Sequence, residues 1–288
     1  MNTTTRSEPA LSTRSLHDVA ELLNCPWCGG SVTVENEAIT CIGCKRVYPV
    51  QQGIALLART DTPGEPPGPL PAPSSRGYQQ QYQQLNDAQR YNENYSKQRW
   101  KRNSTAREHQ ILHQLLSSQR RCDTLLDIPS GGGRLSPALE EHTDLLIEAD
   151  IGFGQVLYGA TNSTLRKPAV RMTASAFHIP LRNGAVDASV CCRLCHHLPT
   201  AEERERLVVE LLRVSRRFVV MTFFDHDSFK NRLRRARRRF DHKPPKLTMS
   251  LDQVRELGRR NGAELVACPA LFALFSGHRF ALLVKRGA

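Results

Sequence analysis

From residue 124 onward, short apolar runs alternate with amphipathic stretches. Runs at 124–128, 145–149, 170–173, 186–192 and 217–223 have the length of strands, and helical spacing falls between them. An amphipathic helix at 251–261 precedes two more runs, 264–268 and 279–285, which read as a hairpin-like pair. Five β/α alternations closed by such a pair predict a doubly wound α/β sheet that holds its ligands at the carboxyl edge. Ahead of it, 78–121 is polar and helical in character. Ile111, Leu112, Leu115 and Leu116 form an apolar stripe there, with Tyr78, Tyr82, Tyr91, Tyr95 and Trp100 along the same stretch. This stretch reads either as a helical cover for the sheet domain or as a lid over its substrate.

Periodicity fails between 59 and 77, where six prolines favour an extended, semi-rigid linker. The chain is therefore read as a disordered tail (1–17), a small cysteine-bearing unit (18–58), the linker, and the sheet domain (78–288). In the small unit, Cys25-Pro-Trp-Cys28 and Cys41-Ile-Gly-Cys44 are two CxxC turns joined by an alternating, hairpin-like stretch. Each turn aims two thiolates at one point, and two turns complete a tetrahedral site suited to Zn²⁺. A redox CxxC is the competing reading, and the second knuckle weakens it. A forty-residue unit cannot hold itself together by core burial, so structural zinc is the default role. Docking of a substrate or partner is the other. Nine cysteines without an apolar leader point to a reducing, cytoplasmic location. No run approaches the roughly 18 apolar residues of a membrane span.

The run from Leu125 to Asp127, Pro129, Gly131, Gly132 and Gly133 is a strand entering a glycine-rich turn before a helix. Such a turn lets the backbone approach a ligand closely and offers helix-start N–H groups to an anion. Ser136 stands where a dinucleotide fingerprint needs its third glycine, which weakens an oxidoreductase reading, and no Lys-Ser/Thr ending supports a P-loop. Asp150 ends the second strand, with Glu148 close by. Ser175 and Ala176 follow the third strand. The fourth strand, 186–192, carries Asp187, Cys191 and Cys192, and Arg193, Cys195, His196 and His197 follow it.

These four motifs, in this order, resemble the class I S-adenosylmethionine-dependent methyltransferases, in particular the group that includes the ubiquinone and menaquinone biosynthesis enzymes. The resemblance spans about 90–286. It implies a seven-stranded Rossmann-like sheet with an antiparallel last strand. It also implies S-adenosylmethionine as cofactor, held by Asp127, Gly131, Gly133 and Asp150 with Ser175, Ala176 and Arg193. Asp150 would accept the ribose hydroxyls. Ser175 replaces the family's adenine-binding aspartate, and this departure supports the alternative of a non-catalytic cofactor-fold module that recruits a partner. The tail of the small unit, from Val47, Tyr48 and Pro49 to Gly53 and Leu57, resembles the zinc-ribbon activator subunits of RNA and protein methyltransferases.

Methyl transfer is governed mainly by positioning, and a general base is needed only where the acceptor must lose a proton. His196 and His226 are the candidates, against a packing or capping role. Cys191, Cys192 and Cys195 read as strand core. Charge adds one further feature. The chain carries +12, and nine basic residues against one acidic fall between 228 and 246. Phe229, Leu233, Ala236 and Phe240 recur there at helical spacing. The segment 229–246 is thus read as a basic amphipathic helix for an anionic surface, RNA or membrane headgroups, or else as a solvated face whose apolar stripe docks on the sheet domain. The acceptor is a small or lipid-like metabolite on the family resemblance, or RNA on the basic helix. The sequence leaves the oligomeric state open.

Overall fold

In the computed structural model, which describes residues 14–35, 37–58, 82–237, 247–273 and 276–287, eleven strands lie in one sheet. A 3-10 helix, Leu16–Leu22, is followed by four short antiparallel strands: β1 (Val32–Val34), β2 (Ala38–Cys41), β3 (Val47–Gln51) and β4 (Ile54–Leu56). Two helices, α1 (Leu85–Lys97) and α2 (Arg99–Ser117), come next. The α/β part then runs β5 (Cys122–Asp127), α3 (Ser136–Leu139), β6 (Thr143–Asp150), α4 (Phe153–Thr161), β7 (Val170–Thr173), β8 (Val186–Cys191), α5 (Ala201–Val214) and β9 (Ser215–Phe224). It closes with α6 (Phe229–Arg237), α7 (Leu251–Arg260), β10 (Ala263–Ala267) and β11 (His278–Lys285).

Strand order is β1-β2-β3-β4-β7-β6-β5-β8-β9-β11-β10. The seven strands from β7 to β10 are those expected, with β11 antiparallel between β9 and β10. The central strands β7 and β8 are buried along their whole length, as strands covered by helices on both faces must be. Helices α5 and α7 start at capping boxes, Thr200 with Glu203 and Ser250 with Gln253, which fix where each one leaves its loop.

The cysteine-bearing unit does not stand apart from this sheet. Its strand β4 pairs in parallel with β7, Ala55 opposite Met172 and Leu56 opposite Thr173. Leu23 bridges Leu181, and the Arg182 N–H donates to the Leu22 carbonyl at 2.8 Å. One hydrophobic core therefore holds Leu16, Val19, Leu23, Ile39 and Leu57 together with Ile147, Met172, Phe177 and Leu181. Residues 14–17, expected to belong to the tail, are packed instead: Leu16 is buried, and the Arg14 N–H donates to the Ala169 carbonyl at 2.9 Å. The Pro-rich linker lies outside the described residues. Among the described residues no helix is long and apolar enough to cross a membrane.

Candidate active site and metal centre

The glycine turn follows β5 directly. Gly131 and Gly133 adopt φ +54° and +77°, where a side chain is strained, and Gly132 carries α1 on its back. A Cβ at Gly132 would lie 2.6 Å from the Asn92 amide, which itself donates to Gln155 of α4 at 2.9 Å. Helix α1 is thereby clamped over the turn.

Asp127, the last residue of β5, is fully buried, and neither of its carboxylate oxygens has a hydrogen-bond partner among the described residues. Burial, reinforced by neighbouring Glu148, raises its pKa well above the carboxylate range. A buried carboxyl left in this way destabilises the fold unless a donor or cation arrives to meet it.

Asp150 ends β6, one strand away. Its Oδ2 accepts the Gly131 N–H and its Oδ1 the Gly152 N–H, each at 2.9 Å, so one side chain ties two loops. Burial pushes its pKa up to about 6, against the opposing effect of the Gly152 and Gly131 N–H groups. A carboxylate has about four acceptor positions, and these two bonds leave the others for a ligand. Residues Tyr82 and Gln84 lie over Gly152 and Gly154, and the Gly154 N–H donates to the Tyr82 carbonyl at 3.0 Å. Glu148, the nearby alternative, is committed elsewhere: it pairs with buried Arg171 at 2.6 Å and accepts from Ser136.

Ser175 and Ala176 lie buried next to Asp150, because the Ala174 N–H donates to the Asp150 carbonyl at 2.9 Å. The Ser175 hydroxyl accepts the Phe177 N–H at 3.3 Å, which fixes the turn it sits in. Arg193 stands at φ +64° after β8. Its guanidinium donates to Glu108 at 2.9 Å, to the Tyr95 hydroxyl at 2.6 Å and to Ser104 at 3.2 Å, all on the helical stretch. Arg134, from the glycine turn, pairs with the other oxygen of Glu108. Tyr95 packs its ring against both guanidinium groups, at 5.2 and 5.5 Å. The arginines also hold Glu108 below its ordinary pKa, although burial acts the other way. This stretch is thus a tied cover rather than a detached lid. Sequence reasoning missed Glu108, and a signal existed: it falls on the apolar stripe, four residues from Leu112, where a carboxylate needs a partner.

The two histidine candidates separate. His196 stacks against His197 and Phe224, at 4.3 Å in each case, and lies 6.1 Å from His278. His226 is exposed at the rim, its Nδ1 3.1 Å from the Thr248 hydroxyl. His278 went unnoticed in the sequence because only register brings it in: β11 runs antiparallel, so its first residue faces Phe224, the last of β9. Cys191, Cys192 and Cys195 are buried, and burial pushes all three thiols up, Cys195 to about 12.

At the other end of the sheet, the Cys25, Cys28, Cys41 and Cys44 sulfurs all lie within 4.8 Å of one another. The Cys25–Cys44 and Cys28–Cys41 pairs are 3.7 and 3.5 Å apart. Zn–S bonds of about 2.3 Å in a tetrahedron place sulfurs about 3.8 Å apart, so the four thiols fit a zinc ion. The Tyr48 hydroxyl is 3.0 Å from the Cys25 sulfur, a contact that orients the ligand from outside the metal shell.

Sheet order, glycine turn and the acidic end of β6 together give the Rossmann-like fold of the class I S-adenosylmethionine-dependent methyltransferases. Residues 126–221 match the methyltransferase domain family (Methyltransf_11) and residues 17–53 match the Trm112p-like protein family, so this chain joins a methyltransferase domain to a Trm112p-like domain. No curated protein matches the chain in sequence. Among solved structures it is similar to the magnesium protoporphyrin IX methyltransferase from Synechocystis PCC 6803 with bound SAH. The TM-score is 0.55 at 16% identity, covering 65% of this chain and 88% of that one. It is also similar to the complex between the Haloferax volcanii Trm112 methyltransferase activator and a methyltransferase, with TM-score 0.46 at 11% identity over 61% and 88% of the chains. A SAM-dependent methyltransferase from Aquifex aeolicus gives 0.46 at 16% identity over 60% and 89%.

Proposed function

We propose that the chain methylates a small or lipid-like metabolite, with its own zinc ribbon acting as a built-in support for the cofactor half of the site. The unpartnered carboxylate of Asp127 carries the cofactor assignment. It is a buried acceptor beneath a glycine turn, the arrangement an ammonium group such as that of the methionine moiety would complete. Arg134 and Arg193 bring two positive charges against the single carboxylate of Glu108, and the surplus suits the methionine carboxylate. Asp150 would accept from the ribose. Ser175 and Ala176 would border the adenine, with the Ser175 hydroxyl able to donate while it holds the Phe177 N–H. S-adenosylmethionine, when bound, supplies an activated methyl group for in-line displacement. The protein's part is then to position the acceptor, and His196 would take a proton from it where the acceptor must lose one.

Support from the ribbon follows from contact. The Ala58 N–H donates to the Thr173 hydroxyl at 3.2 Å, two residues before Ser175, and Ile54 packs on Val156 and Ala160 of α4. The four thiols belong in a reducing compartment such as the cytoplasm.

The test is a calorimetric titration of the zinc-loaded protein with S-adenosylmethionine, with NADH and the Asp150→Ala variant as controls. Micromolar binding that the variant loses is expected. A folded protein that binds no S-adenosylmethionine sinks the reading and leaves the partner-recruiting module. An RNA acceptor is the second reading. The arginines of α6 favour it, and salt-sensitive binding of bulk RNA would establish it.

A further inference from the structure

We infer that α6 is an interfacial helix that seats the acceptor end of the sheet on an anionic lipid surface. The inference rests on the metabolite reading above and specifies where the acceptor is found: in or at a membrane.

Spacing along α6 puts Phe229 and Leu233 on one face, a pattern that in a soluble protein normally docks onto the core. Here it does not. The residue buried beneath the helix is polar Asn231, whose amide donates to the Asp225 carbonyl at 2.7 Å. Gly277 packs so closely under it that a Cβ would lie 2.4 Å from the Asn231 nitrogen. Arg235 adds a bond to the His226 carbonyl. The helix is therefore pinned through its polar side, while Phe229 stays 66% exposed and Leu233 39%. The helix also carries Lys230, Arg232, Arg234, Arg235 and Arg237 and no carboxylate. The rest of the basic run, 238–246, lies outside the described residues.

Two further apolar side chains stand on the same edge. Tyr95 and Ser104 both meet Arg193 just after β8, so the start of α2, with Trp100 at 65% exposure, lies at the carboxyl end of the sheet. Phe272, 41% exposed, lies in the turn between β10 and β11, next to Leu271, whose carbonyl accepts from Arg107 of α2 at 3.3 Å. This is also the edge that holds His196, Phe224 and His278.

Phosphate binding alone would use the cations and leave Leu233 without a role. An anionic bilayer uses both, the cations at the headgroups and the apolar side chains in the acyl boundary. RNA is therefore the outcome to be tested against.

The experiment is sedimentation of the full-length, zinc-loaded protein with vesicles of phosphatidylcholine, alone or mixed with phosphatidylglycerol. Binding is expected only to the mixed vesicles and should weaken as salt rises. Replacing both apolar residues (Phe229→Ser with Leu233→Ser) is expected to lower the partition coefficient roughly tenfold, with melting temperature unchanged. Three results overturn the inference: no binding to mixed vesicles, unchanged binding of the double variant, or displacement of the protein from vesicles by an RNA oligonucleotide. The same samples are titrated with S-adenosylmethionine. Retained cofactor binding beside failed vesicle binding removes this inference alone, whereas lost cofactor binding removes the functional reading beneath it.

Discussion

The carboxyl edge of the sheet is built in two ways. Around the ends of β5, β6 and β7, polar groups are enclosed and mostly satisfied. Asp150 holds two loops, Glu148 holds Arg171, and Asn92 locks α1 to α4. Among the described residues, Asp127 has neither carboxylate oxygen hydrogen-bonded. Around the ends of β8, β9 and β11, rings gather instead: His196, His197, Phe224 and His278, bordered by a helix whose apolar side chains stand in water. The first half fits one fixed ligand that the backbone itself must approach. The second is a surface whose chemistry is set by side chains from distant parts of the chain. The ribbon belongs to the first half, because β4 pairs with β7 and shares its core.

That assignment gives the largest expected effect. Removing zinc with a chelator, or replacing Cys25 and Cys44 by serine, takes away a metal that contributes on the order of 10 kcal/mol to folding of such ribbons. The whole chain is expected to melt lower, in a single transition, with S-adenosylmethionine affinity reduced roughly tenfold or more as β7 loses its neighbour. Calorimetry on loaded and stripped protein measures both. Two separate transitions with unchanged cofactor affinity would move the ribbon out of the cofactor half.

The acceptor half should answer to a different change. His196→Ala is expected to slow methyl transfer about 10²–10⁴-fold while cofactor affinity holds, provided the acceptor must surrender a proton. Single-turnover rates beside the binding titration separate the two. An unaltered rate would make His196 a packing residue, which is the plainer role for a ring stacked on Phe224.

The same division explains what could be read from the chain. Gly131, Gly133 and Asp150 stand out because a turn at positive φ, tied down by a buried carboxylate, demands particular residues at fixed places after two strands. The seven strands were legible because buried strands are continuous apolar runs. The shared core was not, since nothing in Leu16 or Leu57 says which surface will cover it. His278 lies 82 residues from His196 in the chain, and only the antiparallel pairing of β9 with β11 unites them. Arg193 was singled out for the cofactor, but its contacts became visible only with Glu108 in place. The orientation of α6 was open for a related reason: periodicity defines an apolar face without saying what that face meets.

Asp127 offers a sharper test because two expected effects have opposite signs. Asp127→Asn keeps the shape and removes the carboxyl group that burial forces to hold a proton. The cofactor-free protein should melt higher, since folding no longer has to neutralise a desolvated carboxyl with no partner. Cofactor affinity should fall about 10–100-fold, the loss of one charge-assisted hydrogen bond of about 1.5–3 kcal/mol. If both properties move together, Asp127 is structural and the ammonium assignment fails.

The smallest expected effect is a pH dependence confined to the cofactor half. Asp150 titrates at about 6 in the folded chain, above its ordinary 3.8, because burial disfavours the charged form. Its protonated form is therefore the one the fold prefers. The stability it contributes is fully present below about pH 4 and is lost as pH rises through about 6, a change of about 3 kcal/mol at most. Cofactor binding runs the opposite way, since a ribose hydroxyl donates better to the ionised group, and affinity should drop severalfold between pH 7 and pH 5. Asp127 also titrates high, so both measurements belong in the Asp127→Asn background. There, Asp150→Asn should flatten the stability slope and the affinity slope together. Vesicle binding through α6, on the other half of the edge, should show no step near pH 6 in either protein. A step appearing there would mean that the two halves are coupled through Arg134, Glu108 and Arg193, a charged network that spans them.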